Sequence, residues 1–595
     1  MWETLRDSSL GQIARLFRRP ESLSYPEELL SFQLPENLQA YSLGRELENQ
    51  LEKQTGASPR SAEGSFFAAS TTFHEDPEAA GSPASESHWS SSTTTTANGP
   101  GLGTTPASTS PSNDKLEQDP EKHDVVLVDW FDRDPLNPQN WSLGKKIWIT
   151  IQMGLYTFAV YIGTSLYAPS EGQIMIIFNT SFSVSLLGIA LYVIGYGIGP
   201  LLWSPLSEIP SIGRTPIYIT TLFVFVCLAL AASLVDSLAG LLVLRFLLGF
   251  FGSPCLATAG ATLDDMFAPW KLPYVFPVWS TSSTLAPALG PIISGFAVDG
   301  RLGWRVSQWE LFWITAPIWF IMFVSLPETN PDTILHWKAA RLRARTGRAE
   351  LMCEADVKRK HMSARQITID ALIKPWQINA LDPAVLYTTV YAAVLYGTYY
   401  SFFESFPLVF TDMYGFNLGE SGLPFLAFVP ALIIAVPGYI LWFRLKGEAE
   451  MRSNPPPLYG FPESRLLPAV WTTFMGPIGL FIFAWTSRPD IHWIVPIVGL
   501  LNNFICIFVA FQCMMFYISR CYPKYSASLF AANDFARSSF AAASILFSKP
   551  MYEKIGINGG VSLLGGLSIL CSGGMIFLYY FGHRLRARSR FAQSD

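Results

Sequence analysis

Charge is scarce in this sequence of 595 residues, because only 15% of them are Asp, Glu, Lys or Arg. A typical soluble domain carries about 25%. The net charge of −5 offers no basic surface for nucleic acid, so we expect no nucleic-acid partner. The seven cysteines lie in apolar runs or basic segments, which argues against a disulfide framework.

The first long apolar run begins near Ile147, so we expect no signal peptide at the N-terminus.

Several sequence signatures of enzymes are also missing. The Gly-Lys pair at 144–145 lacks the upstream glycine and the following Ser or Thr of an ATP-binding loop. No nucleophile elbow of the form Gly-x-Ser-x-Gly occurs. Metal-like clusters with cysteines or acids are not evident around His336, His361, His492 and His583. The sequence therefore predicts no enzyme, no cofactor and no metal.

The first 146 residues form a polar tail that we expect to be cytosolic and largely disordered. Residues 55–115 are rich in Ser, Thr, Pro and Gly and cannot bury a core. Near the start, LRDSSLGQIARLFRR predicts a short amphipathic helix whose apolar face holds Leu5, Leu10, Ile13, Leu16 and Phe17. This helix is either transient or docked on a membrane or on the protein's own core.

Apolar runs of about 20 residues dominate the rest of the chain, and each is long enough to cross a bilayer as a helix. We expect twelve spans, near residues 147–169, 184–206, 216–235, 238–263, 273–299, 309–327, 383–412, 421–443, 466–486, 491–517, 525–548 and 558–581. The fold class predicted is an all-α membrane protein with two six-helix bundles, residues 147–327 and 383–581. A charged segment, residues 328–382, joins them, and residues 582–595 form a C-terminal tail.

The distribution of Lys and Arg predicts the orientation of these spans. Segments on one side of the predicted membrane hold roughly four times as many basic residues as those on the other. The richer side contains the 328–382 segment and both chain ends, so we place both termini in the cytosol. Six plus six helices with a central hinge segment is a layout typical of secondary transporters, although a channel, a sensor or a membrane enzyme has the same composition.

Arg245 is the first of four charged residues predicted to lie inside spans, where charge is expensive and therefore a sign of function. Small residues follow it at helical spacing, which lets another helix approach and turns the arginine toward protein: Gly249, Gly252, Ser253, Ala257 and Gly260. Two interpretations stay open. The arginine either holds backbone carbonyls together or snorkels outward, or it biases a proton-carrying acid or binds a substrate.

Glu404 lies in the seventh span, within YYSFFESFPLVF. The aromatic residues around it disfavour a charged carboxylate, so this acid is a candidate to bind and release a proton. The alternative is a neutral, hydrogen-bonded acid with a packing role. Flat, apolar or cationic ligands suit the same aromatic cluster, which we predict to bind substrate through Tyr399, Tyr400, Phe402, Phe403 and Phe406.

Asp534 and Arg537 are the other two charges, three residues apart in the eleventh span. This spacing places them on one helix face, where they can pair. The pair either stabilises a tightly packed helix contact or takes part in proton coupling.

Ordered motifs along the chain resemble the major facilitator superfamily, and within it the fungal twelve-span drug:proton antiporters of the benomyl and fluconazole resistance subgroup. The resemblance covers nearly all of 120–590 together with 5–28. It is carried by LYVIGYGIGPLLWSPLSEIPSIGRTPIYI (191–219), RFLLGFFGSPCLATAGATLDDMF (245–267), APALGPIISGF (286–296), LPET (326–329), FFESFPLVF (402–410), NDFARS (533–538), DPLNPQNWS (134–142) and LRDSSLGQIARLFRRPESLSYPEE (5–28).

The resemblance implies roles for particular residues. Arg245 would be the proton-coupling arginine. A cytosolic gating loop would consist of Gly199, Glu208, Gly213 and Arg214, and the antiporter motif that bends and packs the fifth helix would consist of Gly290, Pro291 and Gly295. A tight turn at Gly213 would present the Arg214 cation for pairing across the two halves. Two departures from the family pattern are Glu208, which lies five residues before Gly213, and Ser294, which replaces a glycine.

The function predicted is proton-driven efflux of amphipathic drugs, azole antifungals and toxins by a functional monomer in the plasma membrane, with the vacuolar membrane as the less favoured alternative. Its partners would be small molecules, protons and the lipid bilayer. Glu404 would carry the proton, with Asp534 as second choice. Alternatives are a proton symporter, an exporter of polyamines or of an endogenous secondary metabolite or toxin, and a transporter-like sensor.

Overall fold

The computed structural model describes residues 6–17, 24–28, 126–131, 133–360, 373–449, 462–522 and 526–589. The chain divides into two units, Met1–Leu30 with Leu127–Asp595, and Ser31–Val126. Of the second unit only Val126 is described, so everything below concerns the first. The segment 55–115, which we expect to be disordered, lies outside the described residues, as does Leu5 of the N-terminal helix.

The described residues are almost entirely helical. The helices of the N-terminal half are α1 (Ser9–Phe17), α2 (Leu143–Ser165), α3 (Glu171–Ile177), α4 (Phe182–Ser207), α5 (Arg214–Leu234), α6 (Leu238–Gly252), α7 (Pro254–Met266), α8 (Leu272–Ala297) and α9 (Val306–Ser325). Connecting helices are α10 (Pro331–Thr346), α11 (Glu354–Lys360) and α12 (Lys374–Leu381). Two short strands are β1 (Val126–Leu127) and β2 (Leu351–Met352).

The C-terminal half contains α13 (Pro383–Phe406), α14 (Phe428–Trp442), α15 (Leu467–Thr472), α16 (Met475–Thr486), α17 (Ile494–Cys521) and α18 (Ser526–Arg588). The last of these is two helices joined at Gly556, whose φ of 75° is not helical. Short 3₁₀ or π turns extend several helices, at Pro138–Asn140, Ala168–Ser170, Val298–Leu302, Pro407–Thr411, Glu420–Ala427, Phe443–Gly447 and Pro462–Leu466.

Helices occupy all twelve predicted spans. Eight segments of the described residues are long and apolar enough to cross a membrane, and the last of them, Leu529–Arg588, covers two predicted spans. Helices α8, α9 and α13 have 26, 20 and 24 residues, which suffices to cross a bilayer, but they are less apolar than those eight. Polar side chains in these three helices face neighbouring helices instead of lipid, as the buried Ser280, Thr315 and Ser401 show.

Small residues allow the helices to pack closely. A Cβ atom added at Gly249 of α6 would collide with the backbone oxygen of Tyr192 in α4, so these two backbones touch. A Cβ at Gly197 of α4 would lie 2.6 Å from the Cβ of Ser538 in α18, which makes a comparable contact between the two halves. Close approach at small residues is the usual way for membrane helices to associate.

One end of the helix bundle, called the basic end below, holds Arg214, Arg465 and Arg520 together with α10 to α12. The other end, called the opposite end, holds Glu171 and Lys549. At the basic end, Lys338 and Asp134 form a buried ion pair of 2.6 Å that fastens α10 to the chain before α2.

Helix α1 is docked at the basic end, which answers the question left open by its sequence. Ser8 is fully buried and forms a bridge with Pro327, whereas Ile13 is 42% exposed. Within α1, Gly11 is buried, whereas Ile13 of the predicted apolar face is not. Further along, the Tyr25 ring lies 3.9 Å from the Arg341 guanidinium, and its hydroxyl accepts from Gln12 at 2.8 Å.

Candidate functional site

A small cavity of about 60 Å³ lies between the two halves near the middle of the helices. Helices α2, α8, α13, α14, α17 and α18 all contribute to its wall. Its polar side chains include Tyr161, Ser280, Tyr396, Gln512 and Arg537, and aromatic rings form much of the rest. Gln512 donates to the hydroxyl of Ser280, so this cavity is crossed by a hydrogen bond between the halves.

Arg537 is the charged group at this cavity, and Asp534 neutralises it. The guanidinium Nη2 lies 2.6 Å from Oδ1 of Asp534 and donates to the Tyr161 hydroxyl at 3.0 Å. The rings of Tyr396 and Phe511 lie 4.8 and 5.1 Å from its Cζ. The structure therefore forms the ion pair that the i, i+3 spacing indicates, and adds a contact to α2 of the other half.

Three tyrosines form a second link between the halves beside the cavity. The hydroxyl of Tyr196 in α4 lies 2.5 Å from that of Tyr396 and 3.0 Å from that of Tyr400, both in α13. Each of these hydroxyls both donates and accepts, so the cluster is satisfied without solvent. Opening the cavity toward the opposite end would have to break these bonds.

Arg245 is 1% exposed and donates to two backbone oxygens. Its Nε donates to the carbonyl of Gly188 at 2.9 Å and its Nη1 to that of Gly163 at 2.8 Å, while the Tyr167 and Tyr192 rings both lie 4.6 Å from its Cζ. No carboxylate pairs with it among the described residues. The arginine thus holds α2, α4 and α6 together, as in the first of the two interpretations of its sequence.

Glu404 lies on α13 at the opposite end, where it is 4% exposed and makes no hydrogen bond within the described part of the chain. It lines a cavity of about 410 Å³. Glu171 of α3 and Lys549 of α18 line the same cavity, and neither was among the residues predicted from sequence. Their sequence signal was weak, because both lie where an apolar run ends and read as ordinary loop charges.

The five aromatic residues predicted to bind substrate are separated by the structure. Tyr399 lines the central cavity, whereas Phe403 and Phe406 line the cavity at the opposite end. Tyr400 belongs to the tyrosine cluster. For Phe402 the prediction is wrong, because its ring is fully buried against Phe483 and Phe504 within the C-terminal half. Neighbouring positions on a helix point in different directions, so one cluster in sequence becomes several environments.

Gly213 and Arg214 of the predicted gating loop lie together at the turn before α5, and their gating role stays a prediction. Gly213 has φ 82° and starts α5, and the Arg214 Nε lies 2.9 Å from Oδ2 of Asp265 in α7. Since α5 and α7 belong to the same half, this ion pair does not cross between halves as we expected. Glu208 lies at the end of α4 with much of its side chain exposed, and forms no ion pair within 4.0 Å in the described ranges. Protein atoms crowd its carboxyl group and partly desolvate it, which raises the pKa of Glu208 by more than the nearby Arg214 cation lowers it.

Glu328 is the buried acid of this region that sequence analysis left without a role. Its carboxylate accepts backbone N–H groups of Arg214 at 3.2 Å, Thr215 at 3.1 Å and both Thr329 and Asn330 at 2.9 Å. Burial raises the pKa of Glu328, and the four backbone donors oppose that shift. The acid joins the start of α5 to the segment after α9.

Gly199 is not part of this loop, contrary to the prediction. It lies well inside α4, and a Cβ there would sit 2.6 Å from the backbone oxygen of Phe250. Its role is to let α4 pack against α6, as Gly249 does from the other side.

The antiporter motif packs α8 against both halves. A Cβ at Gly290 would lie 2.9 Å from the backbone nitrogen of Leu166 after α2, and one at Gly295 would lie 2.9 Å from the backbone oxygen of Leu418 in the C-terminal half. Pro291 lines the cavity at the opposite end. Gly290 therefore packs within the N-terminal half, Gly295 packs against the C-terminal half, and α8 continues through both positions.

One cluster contradicts the statement that the histidines lack metal-like neighbours. His336, Cys353 and Asp356 bring their ligand atoms within 4.8 Å of one another at the basic end. The His336 Nδ1 lies 2.8 Å from a carboxylate oxygen of Asp356, so the two side chains are joined by a hydrogen bond. Sequence spacing did not reveal it because α10 and α11 fold back on each other.

Membrane-length helices in two halves, a cavity between them and buried charges along that interface define a multi-pass membrane transporter of small molecules. The chain belongs to the major facilitator superfamily, whose family model matches residues 153–545. Family membership makes it a transporter and not an enzyme, as the sequence indicates.

Fungal relatives match along most of their length. The chain is 44% identical to the MFS-type transporter pyvG of Aspergillus violaceofuscus, over 79% of this chain and 86% of the relative. It is 37% identical to fluconazole resistance protein 1 of Saccharomyces cerevisiae, over 80% and 86%, and 36% identical to the cycloheximide resistance protein of Candida maltosa, over 80% and 88%.

Solved structures share the fold at low sequence identity. The human organic anion transporter MFSD10 matches with a TM-score of 0.52 and 15% identity, over 72% of this chain and 99% of that one. The proton:xylose symporter XylE matches with a TM-score of 0.51 and 12% identity, over 74% and 96%. They support the all-α major facilitator fold expected from the sequence.

Proposed function

We propose that this protein is a drug and toxin exporter of the plasma membrane that exchanges protons for amphipathic, often aromatic compounds, with both termini in the cytosol and the monomer as functional unit. The names of two relatives, fluconazole and cycloheximide resistance proteins, support this assignment. The observation that carries it is the aromatic cavity at the interface of the two halves.

The chemistry of that cavity suits neutral aromatic cargo. Tyr399, Phe428 and Phe511 offer ring faces, and Gln512 and Arg537 can donate hydrogen bonds to the ring nitrogens of an azole. Because Asp534 already neutralises Arg537, the wall carries no net charge and does not reject a neutral ligand.

Proton coupling is assigned to Glu404, and Asp534 takes second place because its carboxylate is already paired with Arg537. A buried acid without a hydrogen-bond partner can take up a proton from one side when the halves open there. Arg245 acts as a positioning residue in this scheme, since it braces the three helices next to the Glu404 cavity.

The driving force is adequate for efflux. A membrane potential of about 100 mV supplies about 2.3 kcal/mol per proton. One pH unit adds about 1.4 kcal/mol. Together they sustain a gradient of a neutral compound on the order of 500-fold.

Proteoliposomes with an imposed pH gradient and a labelled azole test the proposal. The intact protein should accumulate the azole, whereas Glu404→Gln and Arg245→Ala should abolish gradient-driven accumulation while the protein remains folded. Asp490→Asn, which removes an exposed acid in the loop before α17, is the matched control and should transport normally. Unchanged accumulation in the first two variants would remove these residues from the coupling mechanism.

A further inference from the structure

Three side chains with metal-ligating atoms converge in the segment that connects the two halves. His336 lies on α10, Cys353 directly precedes α11, and Asp356 lies in the first turn of α11. One nitrogen, one sulfur and one oxygen atom of these residues lie within 4.8 Å of one another. None of the three residues lines the central cavity or the cavity at the opposite end, so the proposed efflux function gives this cluster no role.

The backbone around the cluster holds the ligands in place. The guanidinium of Arg343 in α10 donates to the carbonyl of Leu351 in β2 at 3.0 Å, which ties the strand before Cys353 to α10. The carbonyl of Cys353 accepts the Asp356 N–H at 3.1 Å, so the first turn of α11 sets the spacing of these two ligands. A site whose ligands are already positioned loses little conformational entropy when it binds an ion.

The ligand types fit Zn²⁺. A cysteine sulfur, a histidine nitrogen and a carboxylate oxygen are the atoms that bind zinc in proteins. Mg²⁺ and Ca²⁺ instead prefer sites made of oxygen atoms. Cys353 is 1% exposed, whereas the side chains of His336 and Asp356 are 25% and 19% exposed. An ion can therefore enter from the solvent side, past His336 and Asp356, and reach the buried sulfur.

Zinc binding requires only side-chain adjustments. Ligand atoms around a tetrahedral zinc ion lie about 3.3–3.6 Å apart, because the bonds to zinc measure about 2.0–2.3 Å. The His336 Nδ1 now lies 2.8 and 3.0 Å from the two carboxylate oxygens of Asp356, so zinc would separate these groups slightly and draw the sulfur closer. Binding at Nδ1 leaves the imidazole proton on Nε2, and the thiol proton of Cys353 passes to water.

A further acid lies beside the cluster. Asp332 lies four residues before His336, so both side chains project from one face of α10. The Asp332 charge acts on the Cys353 thiol, which places it within electrostatic range of the sulfur. Its carboxylate adds to the negative charge that attracts a divalent cation. A fourth ligand to zinc can come from this carboxylate or from a water molecule.

We propose that His336, Cys353 and Asp356 form a zinc site that fastens the start of α11 to α10 in the segment connecting the two halves. The inference goes beyond the proposed efflux function and does not depend on it. It also differs from the expectation drawn from sequence, which predicts no metal, because the ligands come from two helices that meet only in the folded protein.

Binding of Co²⁺ to the purified, full-length, metal-free protein tests this inference, since Co²⁺ occupies zinc sites and absorbs visible light. One Co²⁺ should bind per chain, with the intense visible absorption of four-coordinate cobalt and a near-ultraviolet band from sulfur-to-cobalt charge transfer. Zn²⁺ should displace the cobalt and remove both bands. Cys353→Ser should eliminate the charge-transfer band. His336→Gln and Asp356→Asn should each raise the Kd for Co²⁺ at least about tenfold.

Two substitutions elsewhere serve as matched controls. Cys227→Ser and His492→Gln each remove an exposed residue with the same ligand atom, and both variants should bind Co²⁺ as the intact protein does. A measurement without any substitution is X-ray absorption by the zinc-loaded intact protein. It should show one sulfur at about 2.3 Å and nitrogen or oxygen atoms at about 2.0–2.2 Å from zinc.

Three results would overturn the inference. They are the absence of a charge-transfer band in the intact protein, its persistence in Cys353→Ser, and a zinc ion without a sulfur neighbour in the X-ray absorption spectrum. The cluster would then be only the hydrogen-bonded start of α11, in which His336 and Asp356 hold two helices together.

Discussion

At the scale of single residues, two buried arginines show two ways to keep a guanidinium inside the membrane. Arg537 has a carboxylate partner three residues away, so its charge is neutralised by its own helix. Arg245 instead donates to carbonyl oxygens of two other helices. A buried charge is tolerated only when it is paired or hydrogen-bonded, and removing one partner is costly. Arg537 therefore faces the central cavity as a neutral pair, whereas Arg245 serves to brace helices.

Replacing Gly213 should destabilise the protein, because of its backbone conformation. Its φ of 82° and ψ of 178° lie in a region that essentially only glycine adopts, and a Cβ there would contact the Glu328 carboxylate. Gly213→Ala should lower the free energy of unfolding by about 3 kcal/mol. Thermal unfolding of the purified protein in detergent measures this loss.

Gly347 offers the matched control for that substitution. It also has a positive φ, of 70°, but it ends α10 in a left-handed conformation with no atom within 4 Å of an added Cβ. Gly347→Ala should cost only about 1 kcal/mol. Equal losses in the two variants would show that the contact with Glu328 does not constrain the turn.

At the scale of helices, the contact between α4 and α6 positions Arg245. Gly249 and Gly195 bring the two backbones together, and Arg245 can then reach the carbonyl of Gly188. The hydrogen bond of the buried arginine thus depends on the close packing of α4 and α6. Gly249 lies in the stripe of small residues that the sequence shows, and the stripe's predicted contact with another helix is present in the structure.

Gly249→Ala should separate these helices and weaken the arginine's hydrogen bonds. We expect a loss of about 1–3 kcal/mol, because a methyl group has to be inserted between touching backbones. Gly438→Ala in α14 is the control, since nothing lies within 4 Å of an added Cβ there. A thermal shift assay on both variants measures the loss of stability. A Gly249→Ala protein as stable as Gly438→Ala would contradict the close contact between α4 and α6.

Helix boundaries followed from the sequence where hydropathy changes abruptly. The first long helix is an exception: it begins at Leu143 and not at the predicted residue 147, because Ser142 caps it, with its hydroxyl accepting from the Lys145 amide at 3.5 Å. Helix α3 was not predicted, since seven residues are too few to show a periodic pattern. That short helix carries Glu171, so one missed element also concealed one residue that lines the cavity at the opposite end.

At the scale of the whole molecule, the two halves meet along an interface that runs through both ends of the bundle. Tyr196, Tyr396 and Tyr400 join them beside the central cavity, and Tyr274 donates to Glu448 at the basic end. Access from either side requires one set of contacts to break while the other persists. Hydrogen bonds of neutral or surface groups suit this role, since each costs only about 1 kcal/mol to exchange.

Deleting residues 30–120 distinguishes an exporter from a sensor with the same fold. The transport machinery described above lies wholly outside that segment, so the shortened protein should retain azole transport in cells. A sensor should instead lose its signalling output. Glu404→Gln in the same cells is the negative control, and loss of transport by the shortened protein at normal abundance would contradict the exporter assignment.

The sequence by itself determined the class of protein, the twelve helical spans and the pairing of Asp534 with Arg537. These follow from local patterns: apolar run length, small residues at helical spacing and charges three residues apart. Only the tertiary structure decided that Glu171 shares a cavity with Glu404, that Arg214 pairs with Asp265 and that Phe402 belongs to the core. The reason is physical: such contacts depend on how each helix is rotated and against which distant segment it packs, and no local pattern in one chain encodes that choice.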